Sequence, residues 1–206
     1  MAAVAAQSVV QTPLTQCRAA LGSPRGILVI GDSLTVIGFA DIVSQFTSAG
    51  RPVCINAQSG RQTAEGLRLL GQYWSQGLIK ANTSIVMALG TNDVLDPPNV
   101  MRTEVESAVR TVGPAHQVYW VHVFNYWAAS SVPQSYFIAG TRRVSDEINW
   151  VAMHYGNLTT VRWPALVLAS SYPSLLLADL THPTRGGSQV RTALILNTIK
   201  SREARL

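Results

Sequence analysis

Short apolar runs alternate along the chain with longer stretches of helical spacing. The first run, Ile27-Leu28-Val29-Ile30, predicts a strand. Runs at 52–56, 84–89, 117–123 and 158–162 predict four more, being rich in β-branched and aliphatic residues. Residues 34–48, 64–74, 100–112, 135–154 and 187–201 place apolar side chains three or four apart and predict helices. The strands are continuous apolar runs, which marks a parallel sheet covered on both faces. Regular alternation with right-handed crossovers then gives an α/β fold, a doubly wound three-layer α/β/α sandwich on a five-stranded parallel sheet. Residues 1–24, ending in Gly22-Ser23-Pro24, read as a lead-in segment, and 25–206 as one domain.

Ligands bind such sheets beyond the carboxyl ends of the strands. The loops expected at that rim are 31–34, 56–62, 90–96, 124–133 and 170–186, so the search for chemistry narrows to them. Gly31-Asp32-Ser33-Leu34 directly follows the first strand. A serine between a strand and a helix N-terminus gains free backbone N–H groups and a favourable dipole for developing negative charge. Taken alone, Ser33 would more simply cap the helix. It also does not sit in a G-x-S-x-G elbow.

Three other features change that reading. Asn92, in Gly90-Thr91-Asn92-Asp93, can aim an amide N–H beyond the third strand, as an oxyanion donor does. Gly60, in Asn56-Ala57-Gln58-Ser59-Gly60, allows close backbone approach and offers a bare N–H. Asp179 stands three residues before His182, which precedes Pro183 and is therefore biased to extended backbone. A turn there lets the carboxylate hold one imidazole tautomer and leaves Nε2 to take a proton from Ser33. His116, His122 and His154 lack such a partner and read as structural or surface residues.

These residues resemble, in order, the four blocks of the GDSL, or SGNH, esterase/lipase superfamily, over about residues 26 to 202. The resemblance implies a flavodoxin-like sandwich with strand order 2-1-3-4-5. It implies Ser33 as nucleophile, His182 as base and Asp179 as its orienter. The Ser33 and Gly60 N–H groups and the Asn92 side chain would form the oxyanion hole. No metal or organic cofactor is implied. A narrower similarity joins Val53-Cys54-Ile55-Asn56-Ala57-Gln58-Ser59-Gly60-Arg61-Gln62 and Ala88-Leu89-Gly90-Thr91-Asn92-Asp93 to SGNH domains of actinobacterial surface proteins. Some of those are fused to membrane acyltransferases; this chain carries no such membrane part.

Composition adjusts the picture at its edges. The 206 residues carry a net charge of +5, but their arginines are scattered, with no basic block interleaved with aromatics. A solvated basic surface is expected, not a nucleic-acid site. No run reaches the ~18 apolar residues of a membrane helix; the stretch 166–180 is broken by Ser170, Ser171, Pro173 and Ser174. The two cysteines, Cys17 and Cys54, form no zinc-ligand pattern. A disulfide between them and two separate buried thiols are both open. The start, Met1-Ala2-Ala3-Val4-Ala5-Ala6-Gln7, lacks the basic region of a signal peptide, although Ala-Val-Ala resembles the tail of one. An extracytoplasmic location is favoured over a cytoplasmic one.

The expected activity is hydrolysis of short-chain, for instance acetyl, esters on a small molecule or carbohydrate. Acyl transfer to a carbohydrate hydroxyl and a non-catalytic carbohydrate-binding module are the rivals. Asp32, Arg61, Gln62, Tyr126 and Trp127 are the candidate substrate contacts. The short connection from the fifth strand to Asp179 leaves little room for a lid, which suits an open cleft.

Overall fold

The computed structural model describes residues 8–127, 131–170 and 172–205. The alanine-rich start, 1–7, lies outside them, as do residues 128–130, 171 and 206. The strands are β1 (Val9–Gln11), β2 (Ile27–Gly31), β3 (Val53–Gln58), β4 (Ser84–Ala88), β5 (Val118–Val121) and β6 (Leu158–Val161). They form one sheet in the order β1-β3-β2-β4-β5-β6. β2 to β6 run parallel, whereas β1 lies antiparallel on β3.

The sheet is therefore mixed and six-stranded among the described residues, which corrects the five-stranded expectation. The extra strand comes from the lead-in segment. It is a three-residue, half-exposed edge with no apolar run to announce it. Thr12 just after it exchanges bonds with Ile55, donating from N to the carbonyl at 2.9 Å and accepting at Oγ1 at 3.0 Å. Helix α1 (Leu14–Leu21) follows and buries Cys17, Ala20 and Leu21. A disulfide joins Cys17 to Cys54 of β3. It closes a loop of 37 residues, for which the chain-entropy model gives about 4 kcal/mol.

Strand residues alternate between two cores. Leu28, Ile30, Cys54, Met87 and Trp120 face α1, α4 (Thr63–Ser75), α5 (Val100–Val112) and α6 (Gln134–His154). Ile27, Val29, Ile55, Val86 and Tyr119 face the opposite layer. That layer is α3 (Phe39–Ser48), α7 (Trp163–Ala169), α8 (Tyr172–Leu175) and α9 (Arg185–Glu203). Each such side chain contributes about 1.5–3 kcal/mol on burial, so two dry cores explain why the strands read as unbroken apolar runs.

The helix expected over 34–48 is two: α2 (Ser33–Ile37) and α3, joined at Gly38. A Cβ at Gly38 would stand 3.1 Å from Ser188 Oγ and 3.3 Å from the Leu34 carbonyl. The break lets α9 pack at the joint. Register places the site. Gly31 pairs with Ala57 on one side and Ala88 on the other, so the segments that follow these three strands emerge together at one rim.

Candidate active site

Ser33 opens α2, and Asp32 caps it by accepting from the Leu34 N–H at 3.0 Å. The first N–H groups of a helix have no intrahelical acceptor, so the Ser33 N–H belongs to the rim. Ser33 Oγ lies 3.0 Å from His182 Nε2. His182 Nδ1 lies 2.8 Å from Asp179 Oδ2. Asp179 Oδ1 accepts the backbone N–H groups of Thr181 at 3.0 Å and His182 at 2.9 Å. Burial raises the Asp179 carboxyl, but the His182 and Thr181 donors and the imidazole together hold it below the usual carboxylate range.

The turn bearing these two residues is tied at its base. Leu177 N donates to the His182 carbonyl at 2.8 Å, and Thr184 N to the Leu175 carbonyl at 2.9 Å. Leu180 takes up the bend with φ of 56°. The connection from β6 is occupied by the short helices α7 and α8, which the sequence pattern did not reveal.

Ser33, Gly60, Asn92 and His182 line one cavity of about 490 Å³. Val94, Leu95, Trp127 and Phe137 give it an apolar wall. Gly60 adopts φ of +77°, a left-handed conformation that glycine takes without strain. Asn92 Nδ2 donates to the Arg61 carbonyl at 2.9 Å; an amide carries two N–H donors, so one remains for the cavity. The Trp127 ring meets the His182 ring edge-on, with centroids 5.6 Å apart.

Beneath Asn92, Asp93 accepts from Thr63 at the start of α4, from N at 3.1 Å and from Oγ1 at 2.8 Å. Burial pushes its carboxyl up to about 6 against the lowering by those donors.

The same architecture recurs in solved structures. The peptidoglycan O-acetyltransferase A C-terminal catalytic domain of Streptococcus pneumoniae superposes with a TM-score of 0.71 at 14% identity, covering 86% of this chain and 94% of that one. A member of the lipolytic G-D-S-L family from Veillonella parvula gives 0.65 at 15%, covering 87% and 98%. The psychrotrophic esterase EstA of a Pseudoalteromonas species gives 0.65 at 16%, covering 86% and 98%. The chain has the fold of the GDSL, or SGNH, hydrolases. At these identities the likeness is one of fold. No protein-family model matches the chain, and no curated protein matches it.

On this SGNH scaffold the candidate substrate contacts divide. Trp127 lines the cavity. Asp32 does not: it is fully buried, and burial raises its carboxyl although Arg191, Thr91 and the Leu34 N–H pull it down. Arg61 does not either. Its guanidinium is turned inward onto the carbonyls of Gly31 at 3.0 Å and Asn56 at 2.7 Å and onto Asn56 Oδ1 at 2.8 Å. Carbonyls at the ends of β2 and β3 need donors, and Arg61 supplies them. Gln62 is exposed at the start of α4, outside the cavity lining. Tyr126 stacks on Phe124, with centroids 4.3 Å apart, and faces a different cavity.

Asn125 is the residue that sequence reasoning missed. It is buried among three rim loops. Its Nδ2 donates to the Thr91 carbonyl at 2.8 Å, beside Asn92. Its Oδ1 accepts from Thr181 Oγ1 at 2.8 Å and from the Trp127 N–H at 3.1 Å. The loop carrying Asn92, the aromatic wall and the Asp179–His182 turn thus meet on one amide. No local pattern marks it, because the partners that join the loops, Thr91 and Thr181, are 34 and 56 residues away.

Proposed function

We propose that the chain is a serine esterase of the SGNH type acting on short-chain acyl esters. The observation that carries this reading is the unbroken run Ser33 Oγ, His182, Asp179, with spacings of 3.0 and 2.8 Å, at the mouth of a cavity. In the proposed reaction Ser33 Oγ attacks the ester carbonyl carbon and its proton passes to His182 Nε2. Asp179 holds the Nδ1–H tautomer and stabilises the imidazolium. The tetrahedral oxyanion takes hydrogen bonds from the Ser33 and Gly60 N–H groups and Asn92 Nδ2. His182 then gives its proton to the leaving alcohol, and the ester C–O bond breaks. Water, deprotonated by the same imidazole, cleaves the acyl-serine and restores Ser33. The wall of Val94, Leu95, Trp127 and Phe137 would hold the acyl group.

Acyl transfer to a carbohydrate hydroxyl is the second reading, with a sugar oxygen in the place of water. It draws on the likeness to the O-acetyltransferase domain. The Cys17–Cys54 disulfide supports an oxidising, extracytoplasmic setting.

Purified protein offered a fluorophosphonate should be labelled at Ser33, and Ser33→Ala should abolish both labelling and hydrolysis of a chromogenic acetate. Labelling that survives in Ser33→Ala would remove the esterase and transferase readings together. Adding a glycan acceptor separates the two: acylated glycan at the expense of free acetate would identify a transferase.

A further inference from the structure

A second and larger cavity, of about 860 Å³, lies across the segment 122–127 from the catalytic one. Side chains alternate along that extended segment. Asn125 and Trp127 line the catalytic cavity, while His122, Phe124 and Tyr126 line the second. Its remaining walls are α6, through Arg142, Ser145, Asp146 and Asn149, and the start of α7, after Arg162. Nothing in the proposed chemistry uses it.

Its polar lining is unfinished. His122 is only 7% exposed, yet its Nε2 has no hydrogen-bond partner, and Ser145 Oγ is likewise buried without one. Such atoms cost about 1–3 kcal/mol each when left unpaired, and a rotation of either side chain toward the cavity would let a ligand's hydroxyl groups satisfy them. Burial, aided by the neighbouring Arg162 charge and opposed by a hydrogen bond to Asn149, holds His122 down at about 4. The imidazole is therefore neutral near pH 7 and can either donate or accept at Nε2. Arg142 and Arg162 are exposed at the lining, and neither forms an ion pair among the described residues. Tyr126, half-buried and stacked on the buried Phe124 ring with an interplanar angle of 28°, supplies an aromatic surface.

A hydroxylated ring bearing negative charge suits this lining, where two guanidinium groups outnumber the one carboxylate, Asp146. Its C–H face packs on the aromatic surface and its hydroxyls meet His122, Ser145 and Asn149. Its anion is taken by guanidinium groups suited to carboxylate and phosphate alike. We propose that this cavity binds an anionic sugar, carboxylate- or phosphate-bearing, as the neighbouring unit of a polysaccharide presented to the catalytic cavity. Only the last part rests on the proposed ester chemistry; the binding stands apart from turnover. The chain's charge of +5 favours the same class of partner.

Isothermal titration calorimetry of the full chain tests it, with a uronic-acid oligosaccharide, a sugar-phosphate oligomer and a neutral oligosaccharide of equal length. At least one anionic oligomer should bind at least tenfold more tightly than the neutral one, and which of them binds identifies the anion. Arg142→Gln combined with Arg162→Gln should weaken that binding at least tenfold and leave hydrolysis of a small chromogenic acetate unchanged. Arg18→Gln combined with Arg68→Gln removes the same charge elsewhere on the surface and should leave binding intact. The proposal is overturned if neither anionic oligomer binds, if the neutral one binds equally well, or if the two double variants weaken binding alike. Anionic binding by a protein that cleaves no chromogenic acetate would leave this site standing and remove the esterase reading instead.

Discussion

Two cavities flank one extended segment, and they treat their polar groups in opposite ways. In the first, each chemical group is already engaged: Ser33 with His182, His182 with Asp179, Asp179 with two backbone N–H groups, Asn92 with the Arg61 carbonyl. In the second, His122 Nε2 and Ser145 Oγ are buried without partners. A site that must stabilise charge within a reaction step gains from dipoles fixed beforehand. A site that only receives a ligand can leave its donors and acceptors for that ligand to satisfy. The contrast teaches that engagement, more than cavity size, marks the cavity proposed as the reaction centre, since the larger cavity is the less engaged one.

The strongest way to break that contrast is to spoil the engaged chain. Asp179→Asn keeps the shape but reverses the preferred imidazole tautomer. It should lower kcat on a chromogenic acetate by about 10³–10⁴ with little change in KM; near-normal turnover would mean the Asp179–His182 contact is only structural. Asn92→Ala comes next, with kcat reduced by about 10²–10³. An effect confined to KM would contradict its place in the oxyanion hole.

Titration sharpens the same comparison, because burial opposes charge in both places but with opposite sign. Asp93, under the rim that carries Asn92, is raised from 3.8 to about 6. Its contribution to stability is full below pH 3.8 and is lost as pH rises through 6. His122 is lowered from 6.5 to about 4. Its contribution is full above pH 6.5 and is lost as pH falls through 4. Each is worth roughly 3 kcal/mol across its window, so the two largely cancel between pH 4 and 6.5. Denaturant unfolding should show Asp93→Asn gaining stability with rising pH in that window, and His122→Gln losing it. Parallel slopes in the two variants would contradict both assignments. Glu104, raised to about 7 by burial and by the nearby Asp93 and Asp96, extends the falling limb upward.

The smallest effect concerns the partition itself. Asn125→Ala should cut kcat by about tenfold by loosening three loops at once. Asn125→Asp, which keeps the acceptor for Thr181 and Trp127, should recover part of that loss. A change in the stability midpoint with unchanged kcat would make Asn125 a packing residue only.

Much of this was legible along the chain, for a physical reason. Residues 27–30 and 85–89 are apolar throughout because both faces of their strands are buried. Small or turn-forming residues follow them where the chain leaves the sheet. Ser33, Asp179 and His182 could be named because residue type, neighbouring proline and position after a strand are all local properties. Edge strand β1 was not legible, since three residues, two of them exposed, are too few to establish a period. Asp32 and Arg61 were misread for a related reason: a charge in a rim loop shows no sign of whether it faces solvent or turns inward.

Sequence by itself thus determined where strands and helices alternate and which reactive side chains lie at strand ends, because hydrophobic period and turn chemistry act over a few residues. Tertiary structure alone decided which of two open states the cysteines take, that Arg61 ties β2 to β3, and that Asn125 joins three loops. It also decided on which side of one segment each aromatic falls. Those outcomes depend on strand register and packing between residues far apart in the chain, and no local pattern encodes them.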